Sequence, residues 1–202
     1  MPAPHEIAPG LWHWTARHPR LGRAVSSYYL MRERVLLDPL MPPHGERWFH
    51  ERDAIPEHVL LTNRHHDRHS WRLRDAFGCE VHCIDVGAHE IHGRGPFTPF
   101  SFGDTLPGGV VAHEVGEISP DETALFVPAH AALAVADGVV RMSGPDLEFV
   151  PDALMDEPDH TKSGLLHRYR ALLALDFKHL LLAHGSPIVG DGKQALADFV
   201  SE

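Results

Sequence analysis

Leu60-Leu61-Thr62-Asn63-Arg64-His65-His66-Asp67-Arg68-His69-Ser70 is the stretch in which an apolar run gives way to three histidines and an aspartate. Val59-Leu60-Leu61 shows no alternation, which predicts a short strand buried on both faces. Ser70 to Phe77 predicts a helix, stopped by Gly78. A strand that runs through polar residues into a helix sets those residues at the strand's carboxyl end, where open α/β sheets build their sites.

Upstream, Glu6 to Trp14, Val25 to Met31 and Val35-Leu36-Leu37 predict three strands of an antiparallel meander, the last ending at Asp38-Pro39. His44 to Arg52 predicts a helix after Pro42-Pro43, with Pro56 separating it from the central strand. Downstream, Cys79 to Asp85 predicts a strand. The Gly- and Pro-rich stretch 93–109 then lines a site or folds as hairpins, its phenylalanines read as packing. Val110-Val111-Ala112, Ala124 to Val127, Leu133 to Ala136 and Leu180 to Ala183 complete the strands. The span from Gly144 to Pro158 reads as an exposed acidic connection. Leu165, Leu166, Tyr169, Leu172 and Leu173 mark one apolar helix face. Asp191 and Gln194 are spaced as a capping box for a final helix that buries Leu196, Phe199 and Val200.

The chain has 202 residues, enough for one domain with a real core, and shows no linker or short repeat, so 1–202 is expected to be a single domain. Its net charge of −10 argues against a nucleic-acid partner. No apolar run is long enough to span a bilayer, and residues 1–20 lack an apolar signal core. A cytoplasmic location and a small-molecule ligand are therefore the expectations. Cys79 and Cys83 alternate along one strand, where positions four apart lie roughly 13 Å from each other, so they read as buried thiols rather than a disulfide.

Four predicted strands end in a group able to bind metal: Leu61 before Asn63–His69, Val115 before Glu117, Ala136 before Asp137, and Leu182 before His184. In one layered domain such strand ends converge.

In order and spacing these positions resemble the metallo-β-lactamase-fold superfamily, which includes glyoxalase II-like hydrolases. The family pattern is Thr-His-x-His-x-Asp-His after a buried strand, then Gly-His, then a strand-ending Asp, then a late His-Gly. Thr62 to Arg68, Gly116-Glu117, Asp137 and His184-Gly185 stand in those places, and Tyr29-Leu30 and Leu37-Asp38-Pro39 are similar to the family's opening strands. The resemblance implies an α/β (α+β) fold: a four-layer αββα sandwich of two mixed β-sheets flanked by helices, with the site along one edge.

It also implies where metals would sit and where this chain departs. The first-metal positions hold Asn63, His65, Glu117 and Asp137; the second-metal positions hold Asp67, Arg68, Asp137 and His184. Arg68 has no lone pair to donate, so it cannot be a ligand and instead would put a cation where the second metal would be, paired to Asp67 or Asp137. His66 and His69 are alternative ligands only if the loop re-aims them. The expectation is one divalent metal (zinc, manganese or iron) or none. The enzymatic reading is hydrolysis of an ester, thioester or related bond by metal-activated water, with Asp67 as general base or water-orienting group. The alternative is a non-catalytic pseudoenzyme that binds a small molecule or protein; redox chemistry at a single iron is a third.

Overall fold

The computed structural model describes residues 3–91 and 93–201. Its first sheet has seven strands in sequential order: β1 (His5–Ala8), β2 (Leu11–Arg17), β3 (Ala24–Leu30), β4 (Val35–Leu37), β5 (His58–Leu60), β6 (Glu80–Ile84) and β7 (Thr98–Phe100). The first four pair antiparallel as a meander, and β4 to β7 run parallel. The second sheet joins β8 (Thr105–Leu106), β9 (Val110–Glu114), β10 (Thr123–Val127), β11 (Ala132–Val135) and β12 (His179–Leu182). Only β11 and β12 are parallel there.

Three apolar layers follow from the period-2 alternation of these strands. Leu30, Leu37, Leu60 and Ile84 of the first sheet meet Ala112, Leu125, Ala134 and Leu181 of the second in a layer between the sheets. On the outer face of the first sheet, Val59, Leu61 and Val81 pack with Trp48 and Phe49 of α1 (Arg47–His50) and Leu73 of α2 (Ser70–Phe77). The outer face of the second sheet buries Leu165 and Tyr169 of α3 (Pro158–Leu172) and Leu196 and Phe199 of α4 (Gly192–Phe199). The result is the expected αββα sandwich of two mixed sheets. The central strand, buried on both faces, is continued by Leu61, which is also fully buried.

Some local expectations are corrected. The single strand expected over Glu6 to Trp14 is a hairpin, broken at Pro9-Gly10, where Gly10 adopts φ +78° and Glu6 accepts its N–H at 2.7 Å. The helix expected from His44 shrinks to Arg47–His50, because His44 and Gly45 both take left-handed φ. The stretch 93–109 contributes β7 as a parallel edge and β8 as the partner of β9, and its Phe100 is buried between the sheets. The capping box at α4 does not form: Asp191 makes no side-chain cap, and Gln194 donates to Asp198 at 2.8 Å. Cys79 and Cys83 are free, buried thiols.

Candidate metal and ligand site

The site lies at the carboxyl ends of β5, β11 and β12, where Thr123 N–H donates to the Thr62 carbonyl (2.8 Å) and Ser26 N–H to the Ala183 carbonyl (3.0 Å), tying the sheets together. After β5 the backbone at Asn63 is still extended (φ −160°). The Asn63 side-chain oxygen accepts from the N–H groups of His65 (2.9 Å) and His66 (3.0 Å), capping one turn of 3-10 helix over Arg64–His66. A 3-10 turn stacks residue i+3 on residue i. His66 thus falls inward beside Asn63, and His65 points out into solvent.

His66 is oriented from behind. Its Nδ1 lies 2.9 Å from Asp38 Oδ2 and 2.9 Å from Thr62 Oγ1, and Thr62 in turn donates its hydroxyl (2.5 Å) and its N–H (2.8 Å) to Asp38. A carboxylate on the far nitrogen of an imidazole fixes its tautomer and raises its basicity, as in metal-bound histidines. Asp38 holds this position at φ +45°, a strained geometry for a non-glycine residue.

The other His66 nitrogen, Nε2, is 3.3 Å from Asp137 Oδ1, and His184 Nε2 is 3.0 Å from the same oxygen. Asn63 Nδ2 donates to Asp137 Oδ2 at 2.9 Å. Asp137 sits where β11 turns at Gly138. That residue has no room for a side chain, because a Cβ would stand 2.4 Å from the Tyr169 hydroxyl. His66, Asp137 and His184 place their donor atoms within 4.8 Å of one another, a spacing suited to one cation.

The electrostatics follow from this packing. Burial opposes charge on His66, but the carboxylates of Asp137 and Asp38 outweigh it and lift its pKa to about 9. Burial also works against ionised Asp137, yet His66 and His184 hold its carboxyl well below the usual range. Beneath it, Glu122 is buried and faces the Asp137 charge, which pushes its pKa up to about 8. The Glu122 oxygens accept from Gly138 N–H (2.6 Å) and Ile118 N–H (3.3 Å).

A cleft of about 830 Å³ opens onto the group. Arg20, Arg23, Arg64, Arg68, His18 and His65 line it with the site histidines, and Asp137 is its one carboxylate among the described residues. Leu21, Met142 and Leu154, all exposed, form an apolar rim.

Known structures share this architecture. The metallo-beta-lactamase family protein TTHA1429 from Thermus thermophilus superposes with a TM-score of 0.67 at 15% identity, over 97% of this chain and 80% of its own. TTHA1623 in a di-iron-bound form gives 0.61 at 20% identity, over 95% and 96%. The DIM-1 metallo-beta-lactamase gives 0.70 at 12% identity, over 99% and 98%. The chain has the metallo-β-lactamase fold. No protein-family model and no curated protein matches the sequence.

Against the metallo-β-lactamase pattern, the residues singled out in the sequence divide into two groups. Asn63, Asp137 and His184 come together, but Asn63 spends its oxygen on the helix cap and meets Asp137 only through its N–H. His66, expected only as an alternative ligand, holds the inward place assigned to His65. Glu117 turns away and pairs with Arg168 on α3 (3.2 Å), lying over Gly164. Asp67 has both oxygens engaged, one by Arg68 N–H (2.9 Å) and one by Arg94. His69 accepts from Met41 N–H at 3.0 Å, outside the group.

Arg68 also differs from expectation in its partners. Its guanidinium donates to the carbonyls of Ser26 (2.5 Å) and Asp38 (2.6 Å), with Ala183 O at 3.5 Å, rather than to Asp67 or Asp137. Five N–H donors in a planar fork suit such a span of carbonyls, which belong to segments of both sheets. Asp38, Thr62 and Glu122 were missed as site residues. The available signal was Asp38-Pro39 at a strand end and the adjacent acids Asp121-Glu122 ahead of β10.

Proposed function

We propose that the cleft binds a small anionic molecule with an apolar portion and hydrolyses an ester, thioester or related bond in it with one divalent metal held by His66, Asp137 and His184. The observation that carries this reading is the Asp38–His66–Asp137–His184 chain, in which an oriented imidazole, a shared carboxylate and a second imidazole converge under a cationic cleft. The donor set suits zinc, manganese or iron. A metal bound there would supply a water of lowered pKa.

The chain's own residues do the rest. Asn63 steadies Asp137, and Asp38 with Thr62 fixes the His66 ring. Arg23 has no partner for its guanidinium among the described residues and, with Arg20, is placed to receive the substrate's negative charge. Leu21 and Leu154 receive its apolar part. Because the chain as a whole carries −10, this local cationic lining is what would draw an anion in.

A second reading, binding without catalysis, is favoured by one observation: Asp67, expected as the base, is buried and tied to Arg94 and the Arg68 N–H, each of which stabilises its charge. Turnover of a panel of anionic and neutral esters and thioesters by metal-loaded protein separates the two. The proposal expects hydrolysis of anionic members, abolished by His184→Ala, with KM raised about tenfold by Arg23→Ala at unchanged kcat. Binding of the anionic compounds without any metal-dependent turnover would establish the second reading instead.

A further inference from the structure

The other end of the first sheet carries a second cluster of donors. His58 opens β5 and Glu80 opens β6; the two are paired in register, and His82 lies two residues beyond Glu80 on the same face. His58 Nδ1 is 3.1 Å from His82 Nε2, and the Glu80 Oε2 atom is 3.8 Å from the first and 3.6 Å from the second. Such a triangle has a definite centre. The point equidistant from the three atoms lies about 2.0 Å from each, which is the bond length zinc makes to imidazole nitrogen and carboxylate oxygen.

Other features are those of a built site. Thr98 on β7 donates its hydroxyl to the other Glu80 oxygen, which fixes the carboxylate from outside. His82 is buried, His58 is partly exposed and Glu80 is about half exposed, so a cation can enter from solvent and keep water in a fourth position. The donors come from adjacent parallel strands, His58 and Glu80 at their amino ends and His82 two residues inward, away from the carboxyl ends that carry the cleft.

We propose that His58, Glu80 and His82 form a separate zinc site that staples β5 to β6. Two imidazoles and one carboxylate with an open fourth position suit Zn²⁺ better than calcium or magnesium, which take oxygen ligands. Zinc would replace the hydrogen bond now shared between the two rings. This site is independent of the reading of the cleft.

The test is zinc titration by calorimetry, with melting curves, on metal-free His184→Ala protein, in which the cleft group has lost a ligand. The inference expects about one equivalent bound at micromolar Kd or tighter, and a Tm rise on the order of 5–10 °C at a hundredfold excess over Kd. Glu80→Gln in the same background keeps the Thr98 contact and should weaken binding at least tenfold. His58→Asn, at a partly exposed position, should do the same, and Co²⁺ should give a four-coordinate ligand-field spectrum that both changes remove. If His184→Ala takes up no zinc, or if Glu80→Gln and His58→Asn bind it as the unaltered trio does, the inference is wrong.

Discussion

Removing the Arg68 side chain should destabilise the metal-free protein by about 3–5 kcal/mol. The guanidinium bridges the carbonyls of Ser26 in β3 and Asp38 after β4, and reaches the carbonyl of Ala183 after β12. Hydrogen bonds to a charged group contribute about 1.5–3 kcal/mol each, and the two short ones dominate, since the third is at the limit of bonding distance. Ala183 O keeps Ser26 N–H as a partner and Asp38 O keeps the Ser27 hydroxyl, which holds the loss below the sum of three orphaned carbonyls. Alanine inherits the strained φ of +39°; Arg68→Gly would recover about 1 kcal/mol of that strain. Arg68→Lys, a point charge without the fork, should fall between wild type and alanine. Urea unfolding at neutral pH with chelator present reads these differences directly. An alanine variant within about 0.5 kcal/mol of wild type, the range of an ordinary surface change, would refute the bridging role.

Other expectations follow from the same packing. With its pKa raised to about 9, His66 contributes stability that is fully present below its unfolded value of 6.5 and lost as pH rises through 9. The stability difference between wild-type and His66→Gln metal-free protein should therefore shrink by on the order of 2–3 kcal/mol between pH 6 and 10, and a pH-independent difference would contradict the assignment. Glu122, raised from 4.5 to about 8, acts in the same sense: its contribution is present below 4.5 and lost as pH rises through 8. Glu122→Gln should flatten the stability profile across that window, measured by thermal melts. Asp38 and Asp137, both lowered, act oppositely, holding stability above 3.8 that is lost as pH falls below it. His65→Ala should leave metal affinity in the cleft unchanged, whereas His66→Ala should reduce it at least a hundredfold by equilibrium dialysis.

The individual strands are legible because they are short apolar runs ended by proline, glycine or a charged residue, and the rule that sites form at strand ends brings Asp137 and His184 together. The four-layer sandwich is what the resemblance in motif order implies, since patterning alone does not say how the strands divide into two sheets. What the linear pattern did not carry was rotation. Asn63 stands where the family pattern has a histidine, and an asparagine there caps a 3-10 turn, which swings His66 inward and His65 out. Glu117 follows Gly116 where the pattern has a histidine, and Arg168, fifty-one residues later on α3, draws it away. Arg94 likewise claims Asp67 from a loop with no periodic signal. The carbonyl partners of Arg68 lie in β3 and just after β4 and β12, far apart in the chain, and leave no mark in local sequence.

In the proposed site His66, and not His65, completes a single metal position with Asp137 and His184. Crystals grown with zinc, with diffraction recorded on both sides of the zinc absorption edge, test it most directly. One anomalous peak is expected in the cleft, within bonding distance of His66 Nε2, an Asp137 oxygen and His184 Nε2, with Arg68 still on its carbonyls. A peak bound by His65 or Glu117, a pair of peaks sharing Asp67, or no peak in the cleft at saturating zinc would contradict it.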